Sequence, residues 1–406
     1  MEVVLTIYRI ISMITLIYGA YYVVMGLLGL ILEKKNRKKL EKIDNENHFA
    51  IIIPARNEES VIGNLVDSLN NLNYNKNKYE IYVIVNNTTD NTEIIAKEHG
   101  AKVLMCDRLV KTKADVLCYA FDELKYYKRI DAYIIFDADN VVHPDFLIQM
   151  NDALNNGYRV ATGFRDAKNP SDSWVSASYT LFYYIQNLFL NRSRMGFGGN
   201  AIINGTGFMI KKEIIDEEGF NTYTLTEDSE FTGQCALKGE KIFFAEKSIT
   251  YDEYPVNFKT SWKQRKRWSA GNLQCMKLYN TKLFKSFMQK GFIPMLDMFF
   301  NYCGIMAHII LYLNLGMFRI ANFIEKNPLI WQDYFSWIFG LIVQIGLPIV
   351  TCLWLSKKIK PLWKGILLFP VFIFSWLPIN FICLFKKNIT WEAIKHDRAI
   401  KLEEIN

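Results

Sequence analysis

Cysteine is sparse and scattered in this chain: seven residues, at 106, 118, 235, 275, 303, 352 and 383, with no C-x-x-C pair among them. That spacing signals neither a zinc site nor a disulfide framework, and it suits reduced cytosolic or membrane-buried thiols. No base-reading motif, internal repeat or low-complexity tract is present. The net charge of +7 is modest for 406 residues. Its largest local source is the run Lys34-Lys35-Asn36-Arg37-Lys38-Lys39, directly behind an apolar stretch, so membrane phosphates account for it better than nucleic acid does. Nucleic acid is therefore not an expected partner. Histidine is also scarce, with five residues. His143 could be mistaken for a metal ligand, but His143-Pro144-Asp145 reads as the start of a helix. His308 lies in an apolar span as a pore or packing residue.

What is abundant is apolar and aromatic sequence. Half of the residues are hydrophobic, yet mean hydropathy is near zero, as for a soluble unit joined to greasy segments. Val3 to Leu32 carries one charge, Arg9, and is long enough to cross a bilayer with tilt. It has no basic start and no small-residue cleavage site, so it reads as a retained helix, not a signal peptide. Its basic end places the following chain in the cytoplasm. Apolar character returns in candidate spans Met298–Phe323, Trp337–Leu355 and Leu362–Phe385. Three crossings would put the tail outside, yet the tail carries Lys386, Lys387, Lys395 and Arg398, and Pro370 and Pro378 interrupt the last span. The topology stays open. The expected organisation is a transmembrane helix over 1–34, a cytoplasmic catalytic domain over 45–256, interfacial helices over 257–292, membrane segments over 293–385 and a tail over 386–406.

Between them, strands are expected at Phe49–Pro54, Ile81–Val85, Ala101–Met105 and Ala132–Phe136. They alternate with helices at Glu58–Leu72, Asn91–His99 and Lys113–Lys125. This spacing predicts βαβ units and a parallel sheet, whose ligands bind beyond the carboxyl ends of the strands. Three strands end in polar clusters there: Pro54 to Glu58, Asn86 to Asp90, and Asp137-Ala138-Asp139.

Residues two apart in extended chain share a face, so Asp137 and Asp139 can address one cation. Oxygen-only ligation suits Mg²⁺ or Mn²⁺ with positions left for phosphates. Such a pair is also a common loop cap. With Val141 it fits the D-x-D-x-T/V pattern of aspartyl-phosphate phosphatases, although there the motif closes the first strand and here the fourth. Thr226-Glu227-Asp228 offers a carboxylate base, or simply a capped helix N-terminus. In Gln264-Arg265-Lys266-Arg267-Trp268, helical spacing puts Gln264, Arg267 and Trp268 on one face. Guanidinium binds diphosphate oxygens and indole offers a plate for a sugar ring. A basic interfacial helix explains the charge but not the order.

Taken together, Ile51–Glu59, Asn87–Thr92, Asp137-Ala138-Asp139, Gly205-Thr206-Gly207, Thr226-Glu227-Asp228 and Gln264-x-x-Arg267-Trp268 resemble family 2 glycosyltransferases. The membrane-integrated branch, with its cellulose, hyaluronan, poly-N-acetylglucosamine and mixed-linkage glucan synthases, is the most similar. The resemblance covers roughly residues 49 to 270. It implies a GT-A (Rossmann-like, α/β) fold and inversion at the anomeric carbon, with Asp137 and Asp139 on the metal and Asp228 as base. It also implies Pro54, Glu58, Asn86, Lys113, Ala138, Gln264 and Arg267 on the nucleotide sugar, and Trp268, Thr226 and Glu227 on the acceptor. Two positions depart from the family: Asn86 stands where an Asp often holds uracil, and Thr112 where a Gly precedes the Lys. The tail's Thr390-Trp391 and Lys395-His396 are faintly similar to a gating segment.

The resemblance implies a processive synthase at the plasma membrane, multi-pass, extending a β-linked glycan from UDP-glucose or another UDP-hexose. The alternative is a non-processive transferase acting on a lipid acceptor. A silent subunit or transporter is a third reading, which the intact aspartates oppose.

Overall fold

The structure, a computed structural model, describes residues 2–36, 40–324, 331–386, 389, 396 and 398–405. Arg37, Lys38 and Lys39 of the basic run lie outside the described residues, as do Lys387, Thr390, Trp391 and Lys395 of the tail.

A 35-residue helix α1 (Glu2–Asn36) leads into an eight-stranded sheet. The strands are β1 (Phe49–Ala55), β2 (Tyr79–Val85), β3 (Lys102–Met105), β4 (Ala132–Ile135), β5 (Val141–Val142), β6 (Val160–Ala167), β7 (Phe208–Lys211) and β8 (Ile242–Asp252). Around the sheet run α2 (Ile62–Asn70), α3 (Thr92–Glu98), α4 (Lys113–Leu124), α5 (Phe146–Asn155), α6 (Trp174–Ile185), α7 (Ser193–Gly196), α8 (Lys212–Glu218) and α9 (Glu227–Lys238). A π-helical turn over Gln186–Arg192 joins α6 to α7. The C-terminal part is helical: α10 (Phe258–Lys290), α11 (Ile293–Tyr302), α12 (Gly304–Ile324), α13 (Trp331–Trp354), α14 (Trp363–Phe374) and α15 (Trp376–Phe385).

The strand order is β3-β2-β1-β4-β7-β6-β8-β5. The first four strands are parallel, as the spacing of the apolar runs predicts. Beyond β4 the sheet is mixed, because β7 runs antiparallel to both β4 and β6. Strand β1 sits between β2 and β4 and is covered on both faces, which is why it reads as a continuous apolar run and not an alternating one. Phe49, Ile51 and Ile53 pack with Leu65, Leu69 and Met150 of α2 and α5. Ala50 and Ile52 face Leu117 and Phe121 of α4, in a core that extends through Tyr179 of α6 to Phe369 and Phe372 of α14. Each fully buried side chain of this size contributes about 1.5–3 kcal/mol. Strand order reverses between β1 and β4, the switch point at which such sheets bind ligands.

The 257–292 segment, expected as several interfacial helices, is essentially one 33-residue helix, α10. Among the described residues two helical stretches, 2–35 and 360–385, are long and apolar enough to cross a membrane. The pair α11–α12, bent by 55°, counts as a third if taken as one span. Helix α1 is clasped to the sheet domain, since a Cβ on Gly196 would lie 2.1 Å from the Gly29 carbonyl oxygen. Beside this contact the buried Arg194 pairs with Asp297 at 3.1 Å, and Tyr21 Oη donates to the same carboxylate at 2.5 Å.

Candidate active site

The carboxyl end of β4 delivers Asp137 and Asp139. Because β7 pairs antiparallel with β4, the turn ahead of it, Gly205-Thr206-Gly207, lies alongside: Gly207 N donates to Ile135 O at 2.8 Å, and Asp137 N donates to Thr206 Oγ1 at 3.1 Å. Gly205 has φ +81°, and a Cβ there would sit 3.5 Å from Asp228 Oδ2 and 3.9 Å from Asp137 Oδ2. The two aspartates, 91 positions apart in sequence, thus flank one backbone loop. Lys113 Nζ donates to Asp137 Oδ1 and to Gly205 O at 2.6 Å, and it lies 3.8 Å from Glu227 Oε1. Burial pulls its ammonium down, but the carboxylates of Asp137 and Glu227 outweigh that and hold its pKa above the ordinary value. Thr112 explains the missing glycine. It is extended (φ −133°) and N-caps α4 in a reciprocal capping box with Asp115, so no positive φ is required to aim Lys113.

Asp228 sits in the first turn of α9. Thr226 occupies the N-cap position but makes no side-chain capping bond; its hydroxyl instead meets α10. A Cβ on Gly271 would lie 2.4 Å from Thr226 Oγ1, so only glycine lets α10 approach the turn carrying Glu227 and Asp228. Burial raises the pKa of Asp228, opposed by the Ser229 amide and Lys113. Glu227 is likewise raised by burial, against Lys113. Gly271→Ala is expected to lower turnover about 100-fold by displacing α9 from α10, the usual effect of misplacing a reacting group by about an ångström. Steady-state rates beside an unchanged circular dichroism spectrum check this.

Asp139 is buried in a basic surround. Burial alone would raise its pKa, but His396, Lys168 and Arg165 hold it below the ordinary carboxylate value. His396 reaches in from the tail, with Nδ1 3.1 Å from Glu58 Oε2 and Nε2 3.9 Å from Asp139 Oδ2. Burial opposes its charge, yet Asp139 and Glu58 raise its pKa to about 10. Arg165 pairs with Asp252 and stacks on Tyr183 at 4.3 Å. Asp252, lifted to about 7 by burial against Arg165, lies one step back from the cavity.

Every residue that the family resemblance assigns to metal, nucleotide sugar, base or acceptor lines one cavity of about 440 Å³: Pro54, Glu58, Asn86, Lys113, Asp137, Ala138, Asp139, Thr226, Glu227, Asp228, Gln264, Arg267 and Trp268. Arg267 Nη1 donates to Leu225 O at 3.0 Å, and Gln264 Oε1 is buried without a partner. Asn86 holds the second strand's end by donating to Cys106 O at 3.3 Å. Arg265 of the same motif turns away, its guanidinium over Phe372 at 4.4 Å and donating to Phe372 O and Ser375 Oγ. His143 is no part of the site; its ring nitrogen accepts from Asp145 N just before α5.

The carboxylates of Asp137, bridged by Lys113, and Asp139, beside His396, offer oxygen donors only, the donor type that suits Mg²⁺ or Mn²⁺. Among the described residues no group of three or more His, Cys, Asp or Glu forms a complete cage, so phosphate and water oxygens would complete the shell. Arg165, Glu253, Asn272, Asn301 and Trp376 also line the cavity and carry no motif in sequence. Only a polar residue on a mostly apolar helix, as at Asn301, could have drawn attention.

A family model described as "Glycosyltransferase like family 2" matches residues 46–271. Over 286 residues the chain is 28% identical to the "Probable glycosyltransferase YdaM" of Bacillus subtilis, covering 66% of this chain and 64% of that protein. Over 253 residues it is 24% identical to the "Beta-monoglucosyldiacylglycerol synthase" of a Nostoc species, covering 61% of this chain and 53% of that protein. The chain thus spans less than two thirds of the length of these two relatives. Among solved structures it is similar to a mannosyltransferase of Pyrobaculum calidifontis in complex with GDP-Man and Mn²⁺. There the TM-score is 0.60 at 15% identity, over 93% of this chain and 100% of that one. That likeness concerns the fold, and the sheet with its covering helices is the GT-A arrangement, extended by apolar helices at both ends.

Proposed function

Because this chain belongs to the Glycosyltransferase like family 2, we propose that it transfers a hexose from a UDP-sugar, with inversion, to a hydroxyl of a membrane lipid. The observation that carries this reading is the position of Gly205 between Asp137 and Asp228, with Lys113 bridging Asp137 and Gly205. It gives a diphosphate site and a base on two sides of one loop, as a displacement at the anomeric carbon needs.

The nucleoside lies against Pro54, Glu58 and Asn86. Lys113 and Arg267 address the phosphates, and Arg267 is held for this by Leu225 O. Bound at Asp137 and Asp139, Mg²⁺ or Mn²⁺ would neutralise charge on the departing diphosphate. Asp228 takes the proton of the acceptor hydroxyl as the new glycosidic bond forms, and its raised pKa brings it closer to the strength a base needs near neutrality.

A lipid acceptor is supported by the aromatic end of the cavity. Trp268 stacks on Trp376 at 6.4 Å, and Phe182 on Trp376 at 6.2 Å, so the cavity ends at α15, which belongs to the 360–385 apolar stretch. The diacylglycerol-directed relative points the same way. A processive glucan synthase at the plasma membrane remains the second reading, carried by Trp268 in the cavity, where a terminal sugar could stack. Incubation with radiolabelled UDP-hexoses, Mn²⁺ and membrane lipids is expected to give a labelled product that extracts into organic solvent. A labelled polymer retained in the aqueous phase would replace this reading with the processive one.

A further inference from the structure

The acceptor end of the cavity contains two asparagines without an assigned role, Asn272 on α10 and Asn301 at the end of α11. Their neighbours in sequence fix them against the two sides of the base. Gly271, next to Asn272, packs on Thr226, two residues before Asp228. Tyr302, next to Asn301, is fully buried, and its hydroxyl donates to Ser229 O at 2.6 Å, one residue after Asp228. Both contacts are tight, since a Cβ on Gly233 of α9 would meet the Tyr302 hydroxyl at 2.2 Å. The asparagines are therefore held by the same short turn that presents the catalytic carboxylate.

The Asn272 amide oxygen is not spent on the fold. Asn272 Oδ1 is buried with no hydrogen-bond partner among the described residues, an unfavourable condition that a donor on a ligand in the cavity would relieve. Ser269, on the same stretch of α10, differs: it donates to Asn380 Oδ1 at 2.7 Å, and Asn380 contacts His308 at 3.3 Å. That chain is internally satisfied and structural. Asn301 precedes the 55° bend between α11 and α12 by two residues, and Ile305 beyond the bend lines the same cavity. The bend thus sets a polar residue and an apolar one side by side at the cavity wall.

Resting on the lipid-acceptor reading above, the geometry points to Asn272 and Asn301 as the residues that read the acceptor's head group by binding a second oxygen beside the hydroxyl given up to Asp228. An amide accepts from a hydroxyl and donates to a carbonyl, so the pair suits a glycerolipid-type head with a neighbouring ester or hydroxyl oxygen. A simple long-chain alcohol fills the apolar part but leaves the amides unmatched, and a site built to hydrogen-bond a substrate oxygen discriminates against the analogue lacking it.

The test uses the full chain in mixed micelles, with the UDP-hexose that supports turnover, and compares 1,2-diacylglycerol with a fatty alcohol of the same chain length. The wild type is expected to prefer diacylglycerol at least about tenfold in kcat/KM. Asn272→Ala and Asn301→Ala should raise KM for diacylglycerol and erase that preference, while the UDP dissociation constant stays as in the wild type. Unchanged UDP binding also certifies that the variants fold. Variants that keep the tenfold preference overturn the assignment of the asparagines alone. A wild type that labels neither lipid overturns the lipid-acceptor reading itself.

Discussion

Asp228→Asn is expected to lower transfer about 1,000-fold, in the middle of the range for a positioned general base, while UDP binds as before. The substitution keeps the size and the hydrogen-bonding shape of the side chain, so the turn between Thr226 and Ser229 stays clasped by Gly271 and Tyr302. Only the capacity to take a proton is removed. The pH profile of the unaltered enzyme should report the same group. Asp228 acts as a base when deprotonated, and burial raises its pKa, so activity should fall as pH drops through a value above the ordinary carboxylate range near 4. The acidic limb therefore lies higher than that of an exposed aspartate. Initial rates across pH, with calorimetric UDP titrations of the variant, check both statements; transfer at near wild-type rate in Asp228→Asn rules the base out.

The second large effect is expected at Asp139. Its carboxylate is buried and faces His396, Lys168 and Arg165, and with Asp137 it is the pair proposed to hold a divalent cation. Asp139→Ala removes one half of that pair, while His396, Arg165 and Lys168 keep their partners Glu58, Asp252 and Glu253. Mn²⁺ should tighten UDP binding to the wild type, and the variant should lose that stimulation, with metal affinity falling by more than the roughly ten- to hundredfold that loss of a residue merely supporting a ligand costs. Titrating UDP with and without Mn²⁺ separates this from a general loss of the pocket, because metal-free binding to Pro54, Glu58 and Asn86 should persist. A variant still stimulated by Mn²⁺ to the wild-type extent would place the metal elsewhere.

The first half of the sheet and the motif residues were legible because their signals are local. Strand β1 is an unbroken apolar run, Asp137 and Asp139 follow directly on the apolar run of β4, though in a turn closed by Asn140 N on Asp137 O and not in extended chain, and Gln264, Arg267 and Trp268 follow helical spacing. Strands β5 to β8 left no such mark. Strand β5 is two residues long, and β8 changes register against β6 between Gly163 and Phe164, which blurs alternation. The apolar stretch around Phe182 and Tyr183 was silent for another reason. Its helix ends in a π-turn, and its value lies in flooring a cavity whose other walls are far off in sequence. Asn272, Asn301 and Trp376 likewise gain meaning only when α10, α11 and α15 meet. Thr112, a departure from the family pattern, turned out to be a cap that serves where a glycine usually stands.

Arg265 has a wider consequence. Its charge is held by ring faces, a carbonyl and a hydroxyl at the α14–α15 junction, and among the described residues it pairs with no carboxylate that added salt could screen. Its sequence neighbours Gln264 and Arg267 line the reaction chamber. The chamber is thereby held at one height relative to the apolar stretch over 360–385. On the lipid-acceptor proposal, and if that stretch crosses the bilayer, a lipid whose hydroxyl rides at that level would be glycosylated and a more deeply buried one would pass underneath untouched.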